Sequence, residues 1–414
     1  MKKVAVVVQR CHETVIGGSE SLAWQYANLL KDTYQAEVLT TTALHTSDWA
    51  NTLPAGEETR EGVVIRRFSV TSGRMPYWGR LHERLLADHK SHNSRSTREA
   101  GENHLLPWSL SLQEEFVRTQ GPYSHSLLEF LGRHWSDYQT IIFVTYLYAT
   151  SYFGMLQVPP GVSLFAPTLH DEEPAYLSVY KHIAHRARSL IWLTDAEQRL
   201  GHRLWGSLSG RTVGMTIDTA RRLAARLKAP YLLYCGRIDP NKGCTELFDY
   251  FIRFKKEHPS DIRLVLAGKD DIKVPRHPDI DFRGFVSTEE KFSLMSGATA
   301  LVMPSRKESF SIVTLEAMAQ GTPVIANGRS EVISDHVNQS EGGYIYEDYA
   351  DFANKLGDLI SDGDKARRLG ARGSAYVNAN YKLERVRRDL LEVVASCSKE
   401  KREDHHAISE ADGN

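Results

Sequence analysis

Short, almost uninterrupted apolar runs alternate with amphipathic stretches along most of the chain. Such runs are typical of parallel strands that helices cover on both faces of the sheet. The stretches between them, such as Ser19–Leu30 and Leu127–His134, have helical patterning. The alternation predicts βαβ units and a doubly wound sheet. In the first half the predicted strands are Val4–Gln9, Glu37–Thr41, Val63–Val70, Thr140–Thr145, Val162–Pro167 and Leu190–Thr194.

The same pattern restarts near Pro230, which predicts a second α/β domain. Strand Tyr231–Cys235 is followed by Thr245–His258, whose apolar residues recur at helical spacing. Further on the pattern predicts strands Arg263–Ala267, Ala300–Met303 and Pro323–Ala326, and helices Glu289–Met295 and Ile312–Gln320.

We therefore predict domains at residues 1–213 and 214–382, with the join near 213–227. Residues 383–398 have apolar side chains on one helical face, which predicts a last helix. One possibility is that this helix returns to the first domain. Residues 399–414 are polar and predict a disordered tail.

Composition excludes several classes of protein. The 414 residues carry a formal net charge of −1, so no global field favours nucleic acid. The four cysteines are scattered without a CxxC pair, which indicates neither a zinc site nor a disulfide framework and favours a reducing, cytoplasmic setting. No run approaches the roughly 18 apolar residues of a membrane span, so any membrane contact would be peripheral.

The segment Arg60–Arg98 is unusually basic, with few acidic residues among its bases. Met75, Tyr77 and Trp78 are interleaved with them. One interpretation is a long solvated insertion, and the other is a surface for anionic lipid or a phosphorylated acceptor. Both remain open at this point. The bases are Arg66, Arg67, Arg74, Arg80, Arg84, Lys90, Arg95 and Arg98.

The most informative string is residues 304–326, PSRKESFSIVTLEAMAQGTPVIA. A strand ends before it, and Glu308 lies in the loop while Glu316 lies on the helix that follows. A helix N-terminus attracts anions through its free N–H groups and its dipole. A phosphate there would leave both carboxylates free to bind sugar hydroxyls, because carboxylates are acceptors only. The N–H groups belong to Phe310, Ser311, Ile312 and Val313.

A second string, residues 234–243, reads YCGRIDPNKG between a strand and a helix. Gly236 permits close backbone approach. Arg237 and Lys242 can reach the same diphosphate, whose departure develops negative charge that a metal or fixed cations must balance. No pair of carboxylates of the DxD type stands at an equivalent strand end, and no His/Asp/Glu spacing resembles a metal site, so the cations are favoured.

Two weaker signals lie in the first half. Gly17 and Gly18 follow the first strand and permit backbone contact with a phosphate or sugar, although the string is not GxGxxG. His170 stands with Asp171 and Glu172 at the end of strand Val162–Pro167, where side chains of open α/β sheets reach ligands.

Together these strings resemble the retaining GT-B glycosyltransferases of glycosyltransferase family 4, in the right order and over most of the chain. The E-x7-E pair with its EAMAxGTPVIA context is the strongest element, and GRxxxxKG matches the family's diphosphate string. The resemblance implies two Rossmann-like domains that face each other across a cleft. It implies no metal and no cofactor.

The resemblance also implies roles for single residues. Glu316 would bind the donor ribose and Glu308 the donor sugar. Arg237 and Lys242 would neutralise the diphosphate. Gly18 would approach the phosphate or the acceptor, and His170 would contact the donor sugar near the reacting carbon.

Two departures from the family concern residues near the donor. After the GTPVIA strand the chain reads Asn327-Gly328-Arg329-Ser330-Glu331, with one glycine and no proline, which leaves the identity of the sugar open. The segment Val213–Asp218 matches the family's interdomain string only loosely.

The function expected from the resemblance is a metal-independent, retaining hexosyltransferase of surface polysaccharide biosynthesis. Its donor would be UDP- or GDP-linked, and its acceptor a glycan or lipid-linked hydroxyl. The location would be cytoplasmic, with peripheral contact at the inner face of an anionic membrane as a further option. Two alternatives stay open: a nucleotide-sugar epimerase using Asp171 and Glu172, and a non-catalytic nucleotide-sugar-binding subunit.

Overall fold

The computed structural model describes residues 1–15, 17–96 and 105–411, with side chains for 1–15, 17–92 and 105–397. The chain divides into two compact units. The N-terminal unit comprises Met1–Gly214 together with the segment from Arg387 onward, and the C-terminal unit comprises Met215–Val386. Both are α/β, as the alternation of apolar and amphipathic segments predicts.

The described residues of the N-terminal unit form a sheet in the order β3-β4-β2-β1-β5-β6-β7-β8, parallel except for the β3–β4 hairpin. The strands are β1 Lys3–Val7, β2 Gln35–Thr41, β3 Gly56–Arg60, β4 Val63–Phe68, β5 Tyr138–Val144, β6 Ser163–Ala166, β7 Ser189–Trp192 and β8 Gly210–Thr212. The helices are α1 Gly18–Leu30, α2 Trp78–Ser96, α3 Leu110–Gln120, α4 His125–His134, α5 Ala149–Leu156, α6 Ser178–Arg186 and α7 Asp195–Trp205.

The C-terminal unit contains a parallel sheet in the order β11-β10-β9-β12-β13-β14. The strands are β9 Tyr231–Cys235, β10 Arg263–Ala267, β11 Ile280–Phe282, β12 Ala300–Met303, β13 Val324–Asn327 and β14 Gly343–Tyr346. The helices of this unit are α8 Cys244–Glu257, α9 Thr288–Gly297, α10 Ile312–Ala319, α11 Glu331–Ser340, α12 Tyr349–Ser361 and α13 Gly363–Asn380. The last helix, α14 Leu383–Ala411, begins in this unit and belongs to the N-terminal unit from Arg387 onward.

Apolar burial explains why these segments fold as predicted. The central strands are buried along nearly their whole length, and α8 presents Leu247, Phe248, Phe251 and Phe254 to the C-terminal core. Each such side chain contributes about 1.5–3 kcal/mol when fully buried. The predicted strands are all present, and their ends differ from the prediction by two residues or fewer.

The last helix contacts the N-terminal unit. Arg387 pairs with Asp32 at 3.0 Å, and Glu392 pairs with Arg211 at 2.9 Å. The sequence predicts a disordered tail from residue 399, whereas the helix continues to Ala411. A polar composition does not itself end a helix, because lysine and glutamate are good helix formers. Residues 412–414 lie outside the described chain.

The basic segment is not a solvated insertion. It contains β4 and α2, and Leu85 of α2 is fully buried. Arg66 pairs with Glu57 and with Glu37, and Arg67 pairs with Glu58, so strand pairing with β3 neutralises two of its bases. Arg84 pairs with Asp88 at 3.4 Å. Arg98 and the side chain of Arg95 lie outside the described residues.

No described helix of the chain combines the length and the hydropathy that crossing a membrane requires.

Candidate active site

Two loops at the centre of the C-terminal sheet carry most of the predicted donor residues. From β9 the chain moves outward to β10 and β11, and from β12 it moves outward to β13 and β14. In open parallel sheets, ligands bind at the carboxyl ends of the strands where the order reverses in this way. The loops after β9 and β12 therefore lie where a ligand site is expected.

Gly243 sets the distance between these two loops. Its φ of 75° is left-handed, and a Cβ built on it would lie 2.3 Å from the carbonyl oxygen of Pro304. Only glycine fits both constraints. The turn 240–243 therefore packs directly on the first residue after β12, and Lys242 comes within reach of the loop that holds Glu308.

Lys242 and Glu308 are in direct contact. The ammonium nitrogen of Lys242 lies 2.7 Å from Oε1 of Glu308. The two side chains are 32% and 14% exposed, so solvent screens the pair only in part. Two residues that the sequence places in separate motifs thus form one ion pair just before α10 begins.

Arg237 lies in the loop after β9 and is 57% exposed. Its Nε is 3.5 Å from Asp239 and 3.8 Å from Asp271. Exposed pairs at such distances contribute little, so the guanidinium can turn towards an incoming anion at small cost. Gly236, with a φ of 144°, provides the backbone turn before it.

Glu316 is held by a residue that the sequence analysis missed. Lys291 of α9 donates to Oε1 of Glu316 at 2.7 Å, whereas Oε2 is buried and has no hydrogen-bond partner among the described residues. Burial raises the pKa of the Glu316 carboxyl, and Lys291 opposes that rise. Lys291 carried no signal in the sequence, because its role depends on how α9 packs beside α10.

The start of α10 leaves its first N–H groups uncapped by a side chain. Ser311 is the N-cap and lies in the left-handed region at φ 59°. Its hydroxyl contacts the Thr314 hydroxyl at 2.8 Å and does not cap the backbone. The first N–H groups of a helix have no intrahelical acceptor, so the region of Ile312 and Val313 offers donors to an anion.

His336 of α11 supports the loop in front of α10. Its Nε2 donates to the carbonyl oxygen of Phe310 at 2.9 Å, and its Nδ1 lies 3.1 Å from the hydroxyl of Tyr376. Burial lowers the pKa of His336 to about 4, so the ring is neutral near pH 7. No pattern in the sequence distinguishes this histidine from the other histidines among the chain's seventeen.

The glycine loop of the N-terminal unit is partly filled by a carboxylate. A Cβ built on Gly17 would lie 2.2 Å from Oε2 of Glu20, whereas one built on Gly18 would meet nothing within 4 Å. Glu20 is buried and accepts from Nε of Arg10 at 2.5 Å. Gly18 is therefore the open position of the pair. Neither Glu20 nor Arg10 was selected from the sequence.

His170 lies in a strained loop after β6. Thr168 adopts φ 50°, which is costly for a β-branched residue. The N–H of Leu169 donates at 2.5 Å to Glu197, a fully buried carboxylate of α7. His170 itself is 34% exposed, and its Nδ1 is 3.7 Å from Glu172.

The loop that departs from the family pattern is tied to α8. Asn327 donates to Glu246 at 3.0 Å and to the carbonyl oxygen of Pro304 at 3.2 Å. Arg306 and Arg329 lie 2.6 and 3.6 Å from the other carboxylate oxygen of Glu246. Glu246 thus links the loops that follow β12 and β13.

The predicted site residues fall into two groups. Gly236, Arg237, Lys242, Glu308 and Glu316 belong to the C-terminal unit, as do the residues of the α10 N-terminus. Gly17, Gly18 and His170 belong to the N-terminal unit.

Comparison with known sequences finds a family model that matches part of the second half of the chain. Residues 217–375 match the profile of the glycosyl transferases group 1. The chain is 34% identical over 200 residues to a D-inositol 3-phosphate glycosyltransferase of Corynebacterium urealyticum, covering 44% of this chain and 46% of that protein. It is 27% identical over 209 residues to a trehalose synthase of Rubrobacter xylanophilus, covering 45% and 50%. The chain thus spans half or less of the length of these curated relatives.

Solved structures resemble the fold over nearly the whole chain. Sucrose-phosphate synthase from Thermosynechococcus elongatus has a TM-score of 0.69 at 18% identity, covering 96% of this chain and 99% of that one. Anabaena HepE, in complex with UDP and glucose, has a TM-score of 0.65 at 14% identity, covering 96% and 100%. At these identities the similarity concerns the fold, which is GT-B, with two α/β units each built on a mostly or wholly parallel sheet.

Proposed function

We propose that the whole chain is a hexosyltransferase that uses a nucleoside-diphosphate sugar, since residues 217–375 match the glycosyl transferases group 1. It moves the sugar from a UDP- or GDP-linked donor to a hydroxyl of a glycan or lipid-linked acceptor in surface polysaccharide biosynthesis. The observation that carries the proposal is one arrangement in the C-terminal unit. Two carboxylates, Glu308 and Glu316, each pair with a lysine, and they flank the first turn of α10.

We assign Glu316 to the donor ribose because one oxygen of its carboxylate, Oε2, accepts no hydrogen bond from the described residues. A buried polar atom without a partner costs about 1–3 kcal/mol, and the ribose hydroxyls would supply the missing donor to Oε2. The donor sugar is assigned to Glu308, whose carboxylate is oriented by Lys242. Carboxylates suit both tasks, since they accept from hydroxyl pairs without competing donors.

Lys242, Arg237 and the N–H groups at the start of α10 are proposed to balance the negative charge on the departing diphosphate. Fixed donors and cations aimed at developing charge are a major source of catalysis. Within the described residues no group of three His, Cys, Asp or Glu side chains is arranged to hold a metal ion. We propose that Lys242 and Arg237, and not a metal ion, balance the charge of the diphosphate, as the family resemblance implies.

Retention of the anomeric configuration is proposed from the family resemblance. The leaving phosphate would help to deprotonate the acceptor hydroxyl on the face from which it departs. His170 stays a catalytic candidate on the same basis. The acceptor is assigned to the N-terminal unit, where Gly18 leaves open space, and the protein is proposed to act in the cytoplasm or at the inner face of a membrane.

The epimerase alternative has less support. The acid and base that it would need, Asp171 and Glu172, accept hydrogen bonds from Tyr176 at 2.8 Å and Tyr146 at 2.6 Å. Both carboxylates thus have structural partners. Nothing in their surroundings favours proton transfer at a sugar carbon over sugar transfer.

A donor panel tests the proposal. UDP- and GDP-linked hexoses are incubated with candidate acceptors, and release of nucleoside diphosphate and the product anomer are followed by NMR. We expect transfer with retention of the anomeric configuration. The rate of transfer should fall roughly ten- to hundredfold in Glu316→Gln and should not fall in the exposed control Glu289→Gln. Interconversion of donor sugars without release of nucleotide would instead identify an epimerase, and nucleotide binding without turnover of any donor a non-catalytic subunit.

A further inference from the structure

Aromatic and charged side chains of the N-terminal unit surround Tyr148, which follows β5. The ring of Tyr148 meets that of Trp49 edge to face, with centroids 5.2 Å apart. Burial and then the Glu20 carboxylate raise the pKa of Tyr148 to about 12, while the guanidinium groups of Arg10 and Arg74 lower it. Charged groups from α1 and from two loops, after β1 and after β4, therefore lie near one phenol at the carboxyl edge of the sheet.

The charged groups around Tyr148 are unevenly paired. Arg10 pairs with Glu20 and also donates to the carbonyl oxygen of Leu44 at 2.9 Å. Within the described part of the chain, Arg74 has no carboxylate partner, and its guanidinium carbon lies 4.5 Å above the ring of Trp78. Nε of Arg74 and Nε1 of Trp78 are both buried without a hydrogen-bond acceptor among the described residues. Two adjacent donors thus lack an acceptor.

Arg74 is also held in place by its backbone. Its N–H donates to the carbonyl oxygen of Asp48 at 3.2 Å, and the N–H of Met75 donates to Thr119 at 2.9 Å. A Cβ built on Gly73 would lie 2.0 Å from the same Asp48 oxygen, so the loop packs tightly on the residue before Trp49. The backbone that carries the cation is therefore held in place, which lowers the entropy lost when a ligand binds.

We propose that Arg74 and the indole N–H of Trp78 form a subsite for an anionic group, a phosphate or a carboxylate, carried by the acceptor. This inference rests on the proposed function in one respect, namely that the N-terminal unit receives the acceptor. The planar guanidinium fork matches the paired oxygens of either anion. A single half-buried cation with two unfilled donors fits one anionic group on a ligand. It fits a lipid surface less well, since docking there requires several exposed bases.

The test follows the indole N–H of Trp78 by NMR in the full chain, with its signal assigned by Trp78→Phe. Inorganic phosphate is titrated against chloride at constant ionic strength, and parallel titrations use a hexose phosphate, the same hexose without phosphate, and vesicles containing phosphatidylglycerol. We expect a saturable shift with phosphate and with the hexose phosphate, and none with the neutral hexose. In Arg74→Gln the shift disappears, in Arg74→Lys it weakens, and in the exposed control Arg80→Gln it stays.

Three results would overturn the subsite. They are no saturable Trp78 shift with either phosphate compound, an unchanged shift in Arg74→Gln, or equal losses in Arg74→Gln and Arg80→Gln. A response to vesicles alone would identify a membrane surface instead. Unchanged signals of the other indoles show that each variant is folded. Nucleotide binding by the C-terminal unit is measured separately, so a failed donor site and a failed Arg74 subsite give different results.

Discussion

Replacing Lys291 by methionine removes the cation that partners Glu316 and keeps most of the side-chain volume. The carboxylate is 12% exposed and the lysine 24% exposed, so water replaces the lost partner only in part. Burial already raises the pKa of Glu316, and Lys291 is the group that most opposes it. Without Lys291 the pKa of Glu316 rises further, so the carboxyl takes up a proton at a higher pH in Lys291→Met than in the wild type.

The size of the effect follows from the 2.7 Å separation. The gross attraction at that distance is about 6 kcal/mol at an effective dielectric constant of about 20, and most of it is cancelled by desolvation of the two charges. What a ligand loses is the charged hydrogen bond to Glu316, worth about 1.5–3 kcal/mol. Nucleotide affinity in Lys291→Met is therefore expected to fall roughly ten- to hundredfold where Glu316 is protonated.

Calorimetry with UDP and GDP over a series of pH values measures this effect. As the pH falls, Lys291→Met should lose affinity at a higher pH than the wild type does, because its Glu316 carboxyl has the higher pKa. Lys291→Met should bind weakly at the acid end and recover as pH rises, because deprotonation restores the carboxylate. Lys291→Arg keeps the charge and should resemble the wild type. If Lys291→Met binds like the wild type at every pH, Lys291 does not control the state of Glu316.

The remaining predictions concern the division of roles, the metal, and two strained or buried groups. Glu316→Ala should lose about 1.5–3 kcal/mol of affinity for free nucleoside diphosphate, whereas Glu308→Ala should bind it normally and turn over slowly; equal calorimetric losses would refute the division. Transfer should survive excess chelator, and a complete, magnesium-reversible loss would contradict the metal-independent reaction. Burial raises the pKa of Glu197 to about 7, with N–H donors from Leu193 and Leu169 opposing it, so the folded state binds its proton more tightly than the unfolded state does. The free energy of unfolding of the wild type, measured with denaturant and compared with that of Glu197→Gln, should thus fall by on the order of 3 kcal/mol as the pH rises from about 5 to about 8. A difference between the two proteins that stays constant with pH would refute this. Ser311 has a φ of 59°, which glycine adopts without strain. Ser311→Ala should lower the free energy of unfolding by about 1 kcal/mol because the contact with Thr314 is lost, whereas in Ser311→Gly the relief of strain should offset that loss. A glycine variant that is less stable than the alanine variant would contradict this account of the strain.

The sequence could predict features that depend on short stretches of chain. Continuous apolar runs predicted β9, β10 and β12 because buried parallel strands need apolar residues on both faces. Glu308 and Glu316 could be predicted as site residues because they lie on one loop and the helix that follows it, so their spacing in the sequence determines their positions relative to each other. The prediction of two α/β units is confirmed for the same reason.

Features that depend on packing between distant segments could not be predicted. Lys291 partners Glu316 across 25 positions, and His336 supports Phe310 across 26. The strand β3 is polar and largely exposed, so no apolar pattern marked it, and its pairing of Glu57 and Glu58 with Arg66 and Arg67 stayed hidden. That missed hairpin is why the basic segment resembled a solvated insertion.

The most direct test of the central claim is a calorimetric comparison of ribose and dideoxyribose nucleotides. The full chain and Glu316→Gln are titrated with UDP and GDP and with their 2′,3′-dideoxy forms. If Glu316 binds the donor ribose at the start of α10, the wild type prefers one ribonucleotide over its dideoxy form by roughly tenfold or more, and Glu316→Gln shows no such preference. Equal binding of both forms by the wild type, or no binding of either nucleotide, would contradict the account.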